Sequence, residues 1–260
     1  MSAGAPDARR ARLVLVAAAL AAAVLCVGLG FAGATLFDDA DSDNRPPVVV
    51  PTAAGAPGSA PTPVPDGEPM TPEKAKKITL PPPTGQKDGV STGFGHSHSG
   101  AIAAAVYFWE EYAFLDDEEA RQQLTAVTSP EAVGYIDDEV SEIRKAREYL
   151  GLPPSGGLPA GITFTASVRA VRPTSILVPG LPAGDVLQVW LSYDRFATGL
   201  DGLPDKDPLR GETIDFVLKW QDGAWRFTNE FDAMRTFPVS YEPDSPFAWS
   251  DGWVQVRHGD

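Results

Sequence analysis

Residues 213–231 read TIDFVLKWQDGAWRFTNEF, and this stretch decides the fold of the second half of the chain. The apolar residues before the central Asp-Gly alternate with other residues, as they do in a strand with one buried face. They are Ile214, Phe216, Leu218 and Trp220. The Asp-Gly pair is typical of a tight turn, and Trp225, Phe227 and Phe231 follow it. The stretch therefore predicts an antiparallel hairpin with strands at Thr213–Trp220 and Ala224–Phe231.

Two earlier segments show the same alternation. Ile162, Phe164, Ala166 and Val168 alternate with polar residues, and a further strand is predicted at about Val186–Phe196. The four predicted strands follow one another along the chain, and the Asp-Gly turn joins the last two. They predict a four-stranded antiparallel meander.

Three helices are predicted ahead of the strands. They cover about Gly100–Leu115, Glu118–Val127 and a segment from Ser129-Pro130 to Gly151. The third has an apolar seam in steps of three and four, made of Val133, Ile136, Val140, Ile143 and Leu150. Its outer face is predicted to carry the charged residues Glu139, Glu142, Lys145 and Glu148. We therefore expect an α+β domain in which three helices pack on a curved four-stranded antiparallel sheet. The tail, Ala233–Asp260, is expected to pack along the domain, with a short strand at Trp253–Val256.

The N-terminal part of the sequence predicts a membrane anchor. Residues 13–37 carry no charge, and as a helix they would span roughly 37 Å, enough to cross a bilayer. Arginines precede this segment and aspartates follow it, which places the N-terminus in the cytoplasm and the C-terminal domain outside the cell membrane. A cleaved signal peptide is the competing interpretation, but its apolar core is usually shorter.

Composition divides the rest of the chain. Residues 38–92 are rich in Pro, Ala and Gly, which predicts a disordered linker because such a segment buries little apolar surface. The predicted organisation is a cytoplasmic stub at 1–12, a transmembrane helix at 13–37, a linker at 38–92 and an extracytoplasmic domain at 93–260.

Charge and cysteine content exclude two broad classes of function. The formal net charge of −14 argues against nucleic acid as a partner, since phosphate backbones are bound by clustered Lys and Arg. The only cysteine, Cys26, can form neither an intramolecular disulfide nor a cysteine-based metal site.

Four groups of residues are candidate sites. His96 and His98 precede the first helix, but two histidines do not complete a metal site, and a turn with the imidazole bonded to backbone is favoured. The loop with Asp201, Asp205 and Asp207 could hold Ca²⁺, but it lacks the ligand order of an EF-hand. A solvated connection is therefore favoured. Asp194, Asp215 and Glu230 are expected on strands, where one of these carboxylates could supply a general base. Asp215 and Glu230 lie opposite the aromatic residues of their strands, so exposed positions on the sheet are favoured over a catalytic pair. An aromatic stripe is interpreted as core rather than ligand cavity; it comprises Trp190, Trp220, Trp225, Phe227 and Phe231. No catalytic, cofactor-binding or metal-binding residue and no cofactor is predicted.

The order of elements, three helices and then a meander ending in WQDGAWRF (Trp220–Phe227), resembles the nuclear-transport-factor-like cone fold. With the predicted anchor and linker, the chain looks like the inner-membrane assembly subunits of type IV secretion and conjugation systems. The segment GFGHSHSGAIAAA (Gly93–Ala105) is similar to one in uncharacterised membrane-anchored proteins of actinobacteria. Because the secretion relatives have no catalytic residues, the resemblance implies none here.

These features predict a non-enzymatic, single-pass envelope protein that is a scaffold or assembly subunit of a secretion or conjugation apparatus. Its expected partners are the membrane, through residues 13–37, and other envelope proteins or its own copies. A binding module for a small ligand, lipid or cell-wall fragment is the alternative, and an isomerase or hydratase a more distant one.

Overall fold

The structure is a computed structural model that describes residues 75–198, 202–243 and 246–259. The predicted stub, transmembrane helix and most of the predicted linker lie outside the described residues. None of the helices in the described part of the chain combines the length and apolarity of a membrane-spanning segment.

The described residues form four α-helices and eight strands. The helices are α1 (His98–Glu111), α2 (Asp117–Val127), α3 (Tyr135–Tyr149) and α4 (Pro246–Ser250). The strands are β1 (Lys77–Leu80), β2 (Gly85–Lys87), β3 (Val90–Thr92), β4 (Thr163–Ser175), β5 (Val186–Thr198), β6 (Leu209–Gln221), β7 (Ala224–Phe227) and β8 (Val254–His258). A short 3-10 helix at Asp232–Met234 follows β7.

The predicted four-stranded antiparallel sheet is wrong, because the main sheet has six strands and is mixed. Its order is β1-β8-β4-β5-β6-β7, with β1 parallel to β8 and the other neighbouring pairs antiparallel. β2 and β3 form a separate two-stranded sheet. Disorder up to Thr92 is also wrong, since Lys77–Leu80 pairs with the last strand. Such pairing between distant segments leaves no local pattern in the sequence.

Side-chain caps and one left-handed glycine set the residues at which the helices begin. The Ser97 hydroxyl accepts from the Gly100 N–H at the start of α1, and Asp116 caps α2 in the same way. The third helix begins at Tyr135 rather than at Pro130, because Gly134 adopts a left-handed conformation with φ of 78°. Val133 consequently lies outside the apolar seam and is 85% exposed.

Gly134→Ala should lower the free energy of unfolding by about 1–2 kcal/mol, because L-residues with a Cβ disfavour left-handed backbone. The added Cβ would lie 3.5 Å from the Asp138 carboxylate, an ordinary contact, so the cost is conformational. Gly134→Asn is the control, since asparagine tolerates this conformation better. Urea denaturation of the two variants should rank Asn above Ala; equal stabilities would contradict this explanation.

Both faces of the sheet are covered. Alternate residues of β5, namely Leu187, Val189, Leu191 and Tyr193, belong to the core shared with α1. The residues between them face residues 235–252, which we call the C-terminal segment. Here the carbonyl of Thr236 accepts a hydrogen bond from the Trp190 indole. Trp253 is buried beneath that segment and donates to the Val239 carbonyl. The domain therefore has three layers: helices, sheet and C-terminal segment.

Candidate functional site

The space between α1 and the sheet is occupied by aromatic side chains. The Phe108 ring centroid lies 4.6 Å from that of Phe227 and 5.8 Å from that of Phe216. Trp109 packs edge-on against Phe114 at 4.8 Å and against Tyr193 at 5.1 Å. The rings of the chain fill this space.

The predicted aromatic stripe is divided between three environments. Trp225 and Phe227 are buried in the core against α1, in line with their interpretation as core. Trp190 and Phe231 pack on the opposite face of the sheet, because Trp190 alternates with the core residues of β5. Trp220 is half-buried at the end of β6. The residues thus do not form one stripe around one cavity.

A small pocket opens beside this core, between β3, α1, α2 and β7. Its volume is about 100 Å³, and Phe94, Ala104, Val127 and Trp225 are among its walls. Small-molecule sites commonly have volumes of about 300–1,000 Å³. The pocket is too small for a ligand of that class.

The carboxylate of Asp194 is held by two arginines on the face of the sheet away from α1. It lies 2.9 Å from Arg169 and 3.5 Å from Arg210, and it accepts from the Gly211 N–H. Asp194 is buried. These contacts join β4, β5 and β6, so the role of Asp194 is structural.

Asp215 is also buried, whereas its alternation with the aromatic residues predicted an exposed position. Its carboxylate accepts from the Gln188 amide at 2.7 Å and lies 3.3 Å from Arg235. Burial raises the pKa of Asp215, and the charge of Arg235 opposes that effect. These contacts attach the C-terminal segment to the sheet.

Glu230 lies beyond β7, which ends at Phe227, rather than on a strand. It forms an ion pair of 2.5 Å with Lys219, and Lys219 also lies 3.2 Å from Glu131. Each of the three predicted carboxylates therefore has its own cationic partner. The structure does not bring them together as a catalytic group.

His96 forms a surface cluster rather than the predicted backbone contact. Its Nε2 lies 2.7 Å from the Asp185 carboxylate, and its ring stacks on Trp220 with centroids 4.4 Å apart. Trp225 fixes the turn beneath by donating to the Gly95 carbonyl. His98 points elsewhere, with Nε2 3.4 Å from the Ser175 hydroxyl.

The metal candidates do not assemble within the described residues. No group of three or more His, Cys, Asp or Glu side chains in that part of the chain could hold a metal ion. In the acidic loop Asp201 lies outside the described residues, and the Asp205 carboxylate accepts from the Asp207 N–H. His258 lies on β8, and its Nε2 is 2.9 Å from a carboxylate oxygen of Glu110.

A buried polar cluster escaped the sequence analysis. Glu139 of α3 is only partly exposed, although its spacing suggested the outer face of the helix. Burial, with the nearby charge of Glu142, raises the pKa of Glu139 to about 7. Its charge also acts on two buried tyrosines, Tyr112 and Tyr135, whose pKa values burial raises far above the ordinary value. Within the described residues, Tyr112 Oη and Arg235 Nε are buried without hydrogen-bond partners.

The cluster carried one weak sequence signal. Tyr135 and Glu139 are four residues apart, so they share a face of α3. Arg235 belongs to a segment about a hundred residues further along the chain. No local pattern in the sequence indicates that its charge acts on Glu139. The arrangement supports titration of Glu139 near neutral pH.

Comparison of the chain with protein families, with curated proteins and with solved structures finds no match. The resemblance to the cone fold of secretion and conjugation subunits therefore stays a prediction.

Proposed function

We propose that the chain is a non-enzymatic, single-pass envelope protein whose C-terminal domain is a scaffold or assembly subunit of a secretion- or conjugation-type apparatus. The observation that carries the proposal is the filled interior between α1 and the sheet. Phe108, Trp109 and Phe227 occupy the region where a cone-shaped domain would otherwise hold a ligand. A domain built in this way acts through its surface.

The placement of the carboxylates supports the same function. A carboxylate can act as a general base only when it is free to accept a proton and lies within reach of the substrate. Asp194, Asp215 and Glu230 are instead engaged by arginine or lysine side chains. Such pairs hold elements together and favour a structural role over an isomerase or hydratase.

Exposed apolar residues on the C-terminal segment supply a surface for a protein partner. We call Phe237, Val239 and Phe247 the C-terminal patch; they are 66%, 48% and 62% exposed. Large apolar residues are enriched in the centres of protein interfaces. The proposed partners are other envelope proteins or further copies of the chain.

The proposed location follows from the sequence. Residues 13–37 would cross the cell membrane, with the N-terminus in the cytoplasm and the domain outside. A reporter fused after Asp260 should be active only outside the cytoplasm. Loss of the first 30-odd residues in an intact-mass measurement would instead indicate a cleaved signal peptide.

Photo-cross-linking in the native membrane tests the scaffold. A photoreactive amino acid at Phe237 or Phe247 should give discrete protein adducts, whereas the same residue at Leu203, which is 60% exposed in the β5–β6 loop, should not. Mass spectrometry of the adducts distinguishes a second copy from another envelope protein. Absence of adducts at both patch positions, in a protein that stays folded, would contradict the proposal.

A further inference from the structure

Part of the sheet face away from α1 is open to solvent. The C-terminal segment covers the middle of this face, where Ala170 is buried against Trp253. At the end of the sheet where β4 begins, Thr165 and Arg169 are exposed on the same face. Thr165 lies on this face because its neighbour Ala166 belongs to the core shared with α1. This part of the face can therefore meet another molecule.

The open part of this face is basic. Four exposed cations lie on it, and we call them the basic face: Lys77, Arg169, Arg210 and Arg257. Lys77 and Arg257 point to this side because the residues next to them in β1 and β8 pack against the core. Arg169 and Arg210 share the buried carboxylate of Asp194. Among the described residues, Lys77 and Arg257 have no carboxylate partner, so positive charge is in excess.

Acidic residues at the border of the basic face leave its β1–β8 side positive. Asp205 and Asp207 lie in the β5–β6 loop that leads to Arg210, on the other side of the face. Asp251, where the C-terminal segment meets the sheet, is held by Arg172 at 2.8 Å. The positive charge is therefore concentrated on β1, β8 and the first half of β4.

The helical side of the domain carries an acidic concavity. It lies between α2 and the β2–β3 turn, has a volume of about 470 Å³ and is lined by Asp88, Glu118, Arg121, Gln122 and Thr125. Arg121 is engaged by Asp137 at 2.8 Å. Asp88 and Glu118 are exposed, and neither forms an ion pair with another described residue. The concavity therefore presents negative charge that is not compensated within the described part of the chain.

The two charged surfaces lie on opposite sides of the sheet. Leu124 and Val127 of α2 belong to the core shared with α1, whereas the basic face points away from that core. The two surfaces therefore cannot meet within one copy, but they can meet between two copies. Although the net charge of −14 makes copies repel one another at a distance, salt screens charges that are more than about 8–10 Å apart. At contact, the local charges decide which orientation is favourable.

We propose that the basic face of one copy docks on the acidic concavity of a second copy, so that copies assemble head to tail. The inference rests on the proposed scaffold function and names one of its partners. The contact is heterologous, because each copy contributes two different surfaces, and such contacts close into rings or extend as filaments. Exposed ion pairs are individually weak, so the assembly depends on several pairs at once and weakens with salt.

Disulfide trapping between full chains tests the contact. In a Cys26→Ser background, Thr79→Cys places a thiol on the basic face, next to Arg257, and Gln122→Cys places one in the acidic concavity. Two differently tagged chains, one with each substitution, are mixed in a neutral detergent and oxidised. We expect a disulfide-linked pair that carries both tags, with a yield that falls several-fold between about 0.05 and 0.5 M NaCl. Leu177→Cys in place of Gln122→Cys is the control, because this 70% exposed residue lies outside both surfaces, and its yield should be several-fold lower.

Charge reversal on both copies tests the complementarity. Lys77→Glu with Arg257→Glu on the Thr79→Cys chain should lower the yield several-fold. Asp88→Lys with Glu118→Lys on the Gln122→Cys chain should then restore it, which also shows that the reversed chains are folded.

Three results would overturn the head-to-tail assembly: no restoration, a yield that does not respond to salt, or a link between two Thr79→Cys chains. In the native membrane, a Thr79→Cys chain that is linked to a different protein, or to none, would overturn it as well. The scaffold function would then still be supported by adducts between the C-terminal patch and another envelope protein, and it would fall if those adducts were also absent.

Discussion

Phe108→Ala lowers the free energy of unfolding by about 3–5 kcal/mol, as expected for removal of a buried aromatic ring from a packed core. The Phe108 side chain is 2% exposed and contacts the rings of Tyr112, Phe216 and Phe227. These contacts join α1 to β6 and β7, so the cavity cannot close without moving the helix. Since small domains are stable by only about 5–15 kcal/mol, the variant is close to unfolding.

Phe247→Ala is the matched control, because it removes the same ring from a side chain that is 62% exposed. Its effect should stay within about 0.5 kcal/mol. Urea denaturation of the full chain, followed by near-ultraviolet circular dichroism, measures both variants. Equal losses would show that α1 does not pack on the sheet through a filled aromatic core.

Glu139→Gln should remove the contribution of this carboxyl group to the pH dependence of stability between about pH 4.5 and 7. Burial raises the pKa of Glu139 from 4.5 to about 7, so the folded state binds this proton more tightly than the unfolded state does. The contribution of Glu139 is therefore most favourable at low pH and is lost as the pH rises to about 7. The full difference is about 3 kcal/mol.

At pH 8 the Glu139→Gln variant should consequently be more stable than the wild type, with the difference vanishing near pH 4. Glu148→Gln, at an exposed position of the same helix, is the control and should leave the pH profile unchanged. The comparison between variants is needed because burial also raises the pKa of Asp215 and Glu110. Parallel profiles for Glu139→Gln and wild type would show that Glu139 is solvated.

Helices and strands that have a local sequence pattern could be predicted, but the distant segments with which they pair could not. The 3.6-residue seam of Val140 and Ile143 and the alternation around Phe216 indicated a helix and a strand, which the structure contains. Lys77–Leu80 is only four residues long and is stabilised by pairing with the last strand, which nothing in its own sequence indicates. The sheet was therefore predicted with too few strands.

The candidate sites show the same limit. Alternation correctly placed Asp215 on the face of β6 away from Phe216, but it implied solvent on that face. The C-terminal segment covers it instead, and Arg235 and Gln188 hold the carboxylate. Likewise, helical spacing placed Glu139 outward, whereas tertiary packing half-buries it. Burial of a polar residue depends on distant segments, and periodicity within one element does not report them.

Native mass spectrometry of the full chain, purified from its own membrane, tests the filled interior most directly. The account predicts a protein whose mass, once detergent and lipid are removed by activation, equals that of the chain alone, because Phe108, Trp109 and Phe227 occupy the space between α1 and the sheet. A stoichiometric additional mass that persists in the folded domain and is released only on unfolding would contradict it, since the domain would then enclose a ligand.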